Sequence, residues 1–222
     1  MDAYTPGKAT LALIRREFLL EWRQKYALGG IALYLGTVVF LVAANWTKPD
    51  PQTWILLYWI AVLFTAANAA ARSFMGEGPA QTLYLYSLAS AESVILAKSL
   101  YNIVLLLGLS LFGLAFYGVL LGFPIERSGT FLLAVLTGST AFALVFSMVS
   151  AIGSKTKGTG AMMAILGFPI LLPVVNIMSS LGRESLIPGG AFEGAEKVIS
   201  LLAVDILILV LALVLFPYLW RD

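Results

Sequence analysis

Long apolar runs alternate with short polar breaks along the chain. A helix needs about 20 mostly apolar residues to cross the hydrocarbon of a bilayer. Six runs approach or exceed that length, roughly 28–45, 52–71, 93–122, 129–152, 159–181 and 198–219. The third is longer than a span requires, so it is expected to tilt or to project beyond the bilayer. No internal repeat, low-complexity tract or soluble domain interrupts the pattern. It predicts an all-α membrane protein. One domain covers 1–222, with an amphipathic helix over 1–27 and a six-helix transmembrane bundle over 28–222. Residues 1–25 lack a continuous apolar core and a small-residue cleavage site, so no signal peptide is expected there.

Residues 8–25 read KATLALIRREFLLEWRQK. Leu11, Ile14, Phe18 and Trp22 recur at three- and four-residue intervals and predict one apolar helical stripe. Leu13 and Leu20 break that pattern. The favoured reading is a helix lying in the membrane interface, with Phe18 and Trp22 dipping inward and Arg15 and Arg16 at the headgroups. The alternative is an ordinary helix packed on its neighbours.

The segment RSFMGEGPAQTLYLYSLASAESVILAK, residues 72–98, separates the second and third runs. Gly76, Gly78 and Pro79 break the helix, and Pro79 can open a new one. Gln81 to Leu88 then predict a short helix carrying Leu83, Tyr84, Tyr86 and Leu88. Ser90, with Glu92 and Ser93 after it, reads as the start of the next helix. The segment is either a docking element for a soluble partner or a surface loop with its tyrosines in the aromatic belt. Composition does not choose.

Polar residues within the runs narrow the picture. Asp205 stands among Leu, Val and Ile, where an unpaired carboxylate costs about 2.5–3.5 kcal/mol. It is expected to face the bundle, with Asn176 a candidate partner. The pair is either part of a gating path or an interhelical tie worth roughly 0.6–2 kcal/mol. Pro169 and Pro173 each remove a backbone donor, so a kinked or interrupted helix is expected, as a hinge or a static bend. Gly118 and Gly122 form a GxxxG, and alanines gather over 66–71; both permit close helix approach.

Composition then excludes whole classes of function. Of 222 residues, 60% are hydrophobic and 12% charged. That is half the charge of an average soluble domain, which argues against a soluble enzyme. No cysteine and no histidine occur, which removes disulfides, thiolate chemistry and the commonest general base and metal ligand. A net charge of +2 gives no electrostatic footprint for nucleic acid. Gly153, Ser154, Lys155 and Thr156 end like a phosphate loop, but the G-x-x-x-x-G-K-[ST] spacing is missing. No catalytic constellation is present, so an ATP-driven machine containing this chain needs a separate ATPase. With six spans, ten of the 14 basic residues fall on the side of the termini, which predicts both ends in the cytoplasm.

Three stretches resemble one family. IRREFLLEWRQKYALGGIALY at 14–34 resembles its basic, acid-punctuated helix running into span one. RSFMGEGPAQTLYLYSLASAESVILAKSLYN at 72–102 resembles its first cytoplasmic loop. GSKTKGTGAMMAILGFPILLPVV at 153–175 resembles its second loop and proline-containing fifth span. The chain is thus similar to haem exporter protein B, the cytochrome c maturation protein B (CcmB) family. Its loop reads GEGPAQTLYLY where many members carry an acid-rich D-D-x-x-D-G-S-L-E pattern.

The resemblance implies an ABC-2-type permease subunit in the bacterial inner membrane. Two such subunits would pair with two copies of the ATPase CcmA and associate with CcmC and the small CcmD. ATP bound by the ATPase would drive release of haem, the substrate, from CcmC to the chaperone CcmE. No cofactor bound directly by this chain is expected. Glu77, Gly78, Gln81, Leu83, Tyr84, Tyr86 and Leu88 would form the coupling helix on CcmA. The 8–25 helix would be the interfacial elbow, and 182–197 an outer gate. Asp205, Asn176, Pro169 and Pro173 would serve gating or packing. The competing readings are an ABC-2 permease exporting a lipid, polysaccharide or drug, and an assembly factor that transmits ATPase work without transporting anything.

Overall fold

The computed structural model describes residues 6–23, 25–46, 48–75, 89–154, 159–188 and 194–221. Among them lie seven helices and no strand: α1 (Pro6–Arg23), α2 (Lys25–Asn45), α3 (Pro51–Met75), α4 (Ala91–Leu121), α5 (Ser128–Gly153), α6 (Thr159–Glu184) and α7 (Ala195–Arg221). Five carry stretches long and apolar enough to cross a membrane: Pro51–Phe74, Ala91–Leu121, Ser128–Gly153, Ile165–Glu184 and Ala195–Tyr218. The apolar stretch of α2, Gly29–Asn45, is shorter.

Local chemistry sets several of these boundaries. Asp50 Oδ2 accepts from the Thr53 amide at 3.0 Å just before Pro51, whose missing donor and fixed φ suit a first helical position. Hydrogen bonding from Thr53 holds the exposed Asp50 carboxyl below its ordinary value. Ser90 caps α4, its hydroxyl accepting from the Ser93 amide at 3.3 Å, as the sequence predicted. Gly122 ends α4 with φ +78°, a backbone state that only glycine adopts freely. Within the chain no neighbouring helix closes on Gly118 or Gly122. Close approach occurs at other glycines, where a Cβ would meet Leu35 (Gly113), Met178 (Gly138) and Ile55 (Gly182) within 3.0 Å.

Helix α5 is the central stave. Every residue from Ala141 to Ala151 is buried, because α3, α4, α6 and α7 all pack on it. Around it the core divides in two. The larger cluster holds Trp54, Tyr58, Tyr117, Phe131, Phe142, Met178 and Leu201. The smaller holds Phe74, Ile95, Met148, Ile208 and Phe216. Leu13 of α1 packs on the smaller cluster, Glu17 of α1 meets Lys98 near the start of α4, and Ile95 and Phe216 line one cavity, so α1 and the last turns of α7 lie at one end of the bundle. At 31 residues, α4 is about 46 Å long, well beyond the roughly 30 Å of hydrocarbon.

Helix α6 runs unbroken through Pro169 and Pro173, so of the two expected forms it is not the interrupted one. Both rings point to the outside of the bundle, where they clash with no neighbouring helix. Each still withholds a donor from the carbonyl four residues earlier, those of Ile165 and Pro169.

Candidate functional site

At the end carrying the termini, three helices meet at one buried lysine. Lys98 begins the third turn of α4, its side chain only 3% exposed. Its Nζ donates to the Ser73 carbonyl oxygen of α3 at 2.7 Å. It sits 3.6 Å from Glu17 Oε2 of α1 and 5.1 Å from the centre of the Phe74 ring. Glu17 also pairs with Arg16 at 3.0 Å. The Phe18 ring meets the Tyr101 ring edge-on at 5.2 Å. A buried ammonium is tolerated only with a counter-charge and satisfied donors, and this one has a carboxylate, a carbonyl and an aromatic face.

The junction fixes the flanks of the 76–88 segment. Ser73 and Phe74 precede it and Lys98 follows it, so the anchor of the segment is one packed unit. Glu77, Gly78, Gln81, Leu83, Tyr84, Tyr86 and Leu88 themselves lie outside the described residues.

The first helix combines both readings of its sequence. Leu13, which broke the predicted stripe, turns inward onto the core, and Glu17 turns inward to Lys98. Of the predicted stripe, Leu11 is 68% exposed and Ile14 half-buried, while Phe18 is 41% exposed and still meets the Tyr101 ring. Arg15 is exposed and Arg16 half-buried; the side chain of Trp22 lies outside the described residues. The helix packs on the bundle through one side and presents apolar and basic groups on the other, as an interfacial helix does.

The predicted partnership of Asp205 and Asn176 does not form. Asp205 faces the bundle interior, 5% exposed, as expected, but neither of its carboxyl oxygens meets a donor. Asn176 points outward from α6. It shares that outer face with Ile165, Pro169, Leu172 and Pro173, spaced by three and four residues. Eleven residues cover about three turns, so Asn176 keeps the face of Ile165 and turns away from α7.

The opposite end holds the ends of 182–197 in place. Lys197 donates to Glu184 Oε2 at 2.9 Å, and the Arg127 amide donates to the Ser185 carbonyl at 2.9 Å. Residues 189–193 lie outside the described set.

Sequence reasoning missed Glu17, Lys98 and Ser73. One signal was available. A lysine eight residues into an otherwise apolar helix is carried into the bundle, where an unpaired charge is costly, so it requires a carboxylate from elsewhere. The sequence model of the CcmB protein family matches residues 8–218. No curated protein matches the chain.

Proposed function

The chain belongs to the CcmB family, membrane components of haem transport in cytochrome c biogenesis, and from that premise we propose that it is the permease subunit coupling a separate ATPase to haem handling. The observation that carries this reading is the Glu17–Lys98–Ser73 junction. A segment that receives force from a soluble ATPase needs a stiff footing in the bundle, and the flanks of 76–88 have one. On this reading Glu77 to Leu88 are the coupling helix on a CcmA-like ATPase, and α1 is the interfacial elbow. CcmC-like and CcmD-like proteins complete the assembly, and haem is its substrate.

Six spans in an ABC-2-type arrangement fit the same reading. Helix α2 has 21 residues in all, about 31 Å, enough to cross the hydrocarbon. The excess of basic residues at the end with the termini supports a cytoplasmic location for both.

The outer face of α6 supports pairing with a second copy. Asn176 and two carbonyls without helical donors would face hydrocarbon in the monomer, which the bilayer core does not satisfy. An amide both donates and accepts, so two copies related by a two-fold axis complement each other there. The chain has no cysteine, so Asn176→Cys is a clean probe: oxidation in membranes is expected to give a linked dimer, and a monomer refutes the pairing.

Docking is tested by replacing Tyr84, Tyr86 and Leu88 with Asp. Recovery of the ATPase with the tagged chain is expected to fall while membrane insertion stays normal. Unchanged recovery refutes the assignment.

A further inference from the structure

A second buried polar group waits for a partner on the other side of Asp205. Asn102 of α4 is 2% exposed. Its amide donates to Ser147 Oγ of α5 at 2.8 Å, but its carbonyl oxygen Oδ1 accepts nothing. Two observations bring it to Asp205. Ile95 of α4 and Ala212 of α7 line one small cavity. Moving seven residues toward the opposite end from each, about 10.5 Å and nearly two full turns, reaches Asn102 on α4 and Asp205 on α7. Their chain neighbours agree in depth, since Ile103 and Val204 each pack against both core clusters. Three buried acceptor oxygens without a donor, Asp205 Oδ1 and Oδ2 and Asn102 Oδ1, thus lie at one depth on neighbouring helices, at the seam of the two clusters.

The surroundings supply no neutralising charge. Helix α5 has no titratable residue, and on α6 Arg183 and Glu184 lie at the far end. Besides Asp205, α7 has Glu196, Lys197, Tyr218 and Arg221 near its termini. On α4 the titratable groups are Glu92, Lys98, Tyr101 and, at the far end, Tyr117. Of these Lys98, one turn from Asn102, already holds Glu17 and the Ser73 carbonyl. Ser99, one turn from Asn102 toward the terminal end, adds a buried hydroxyl without a partner. Intramembrane carboxylates mark ion and proton sites when they face a bundle interior. Oxygen donors with a single negative charge suit a hard monovalent cation.

We propose that Asp205 and Asn102 form a buried site for a small monovalent cation, a proton or Na+, between α4 and α7. The occupant supplies the positive charge that the seam lacks and ties α7 to the Asn102–Ser147 pair.

The test uses the full-length chain in lipid nanodiscs and reads its thermal unfolding midpoint. At constant ionic strength, exchanging choline for Na+ raises the midpoint by a few degrees if Na+ is the occupant, and Asp205→Asn abolishes the rise. If the occupant is a proton, Na+ has no effect, the midpoint is higher at acid than at alkaline pH, and Asp205→Asn flattens that slope. Wild type and variant responding alike to both Na+ and pH overturns the site. Should Asp205→Asn not accumulate, Asn102→Leu carries the same comparison: a weakened response supports the site, and a response equal to wild type overturns it.

Discussion

The two ends of the bundle are packed by different means. Away from the termini, Trp54, Tyr58, Tyr117, Phe131 and Phe142 are almost wholly buried. The ring of Trp54 lies 4.7 Å from Tyr117 and 5.7 Å from Phe131. Their polar atoms are served by backbone: Trp54 Nε1 donates to the Gly122 carbonyl, Tyr58 to that of Ser110 and Tyr117 to that of Trp54. At the terminal end the cluster is smaller and largely aliphatic, and Glu17, paired with Lys98 and Arg16, ties α1 to it. Edge-to-face aromatic packing is short-ranged and tolerates little movement. An ion pair holds over a longer range and through a wider set of geometries. The difference sets close aromatic packing at one end against a longer-range electrostatic tie at the other.

The sharpest way to break that contrast is to damage each end and read stability and partner binding separately. Phe131→Ala opens a cavity in the aromatic block and is expected to cost about 3–5 kcal/mol of stability, measured by unfolding in detergent. ATPase recovery per folded molecule should not change. An equal loss of recovery would mean the ends are not distinct.

Lys98→Met leaves Glu17 with Arg16 alone and is expected to cost about 2–3 kcal/mol, less than a fully stranded charge. Recovery of the ATPase should fall by more than that stability loss explains. Adding Glu17→Gln should restore most of the stability, which a double-mutant cycle measures. Strict additivity of the two losses would show that the pair is not coupled.

These positions also show how far the sequence was legible. The run predicted at 129–152 is the helix Ser128–Gly153, and the Ser90 cap was read from its own neighbours. Both are local properties, written in consecutive residues. The ends of the bundle are not local. Trp54 reaches Gly122 across 68 positions and Tyr117 reaches back to Trp54 across 63, and no periodicity records such pairings. Asn176 was matched to Asp205 by depth alone, whereas rotation about the helix axis decides which groups meet. Leu13 looked like an error in an amphipathic stripe because the bundle takes up a side of α1 that the stripe does not define: Leu13 packs on the core while Leu11 stays exposed.

A smaller effect refines the contrast at the opposite end. Gly182→Ala brings a Cβ to 2.8 Å from Ile55 Cγ2. That branched side chain has little room to yield, so about 1–3 kcal/mol should be lost. Gly129→Ala, with open space around it, should unfold as wild type does. Similar behaviour of the two variants would show that α3 and α6 are not in close contact.

The smallest effect is at Asp50. Hydrogen bonding lowers its folded-state value below that of the unfolded chain. Its contribution is therefore complete above the unfolded value and is lost as pH falls through the folded one. Asp50→Asn should remove that acid sensitivity with little change near neutrality, read from unfolding midpoints across an acid series.

The length of α4 has a mechanical consequence. A single uninterrupted rod of about 46 Å in a slab of about 30 Å leaves roughly 16 Å outside, or else stands strongly oblique. Either way its first turns form a handle gripped by α1. A sideways load on that handle is carried along the rod to Tyr117 and Gly122 at the far tip, where the aromatic block bears it. A push of a few ångströms on one side of the membrane is thereby felt on the other without any residue travelling through it.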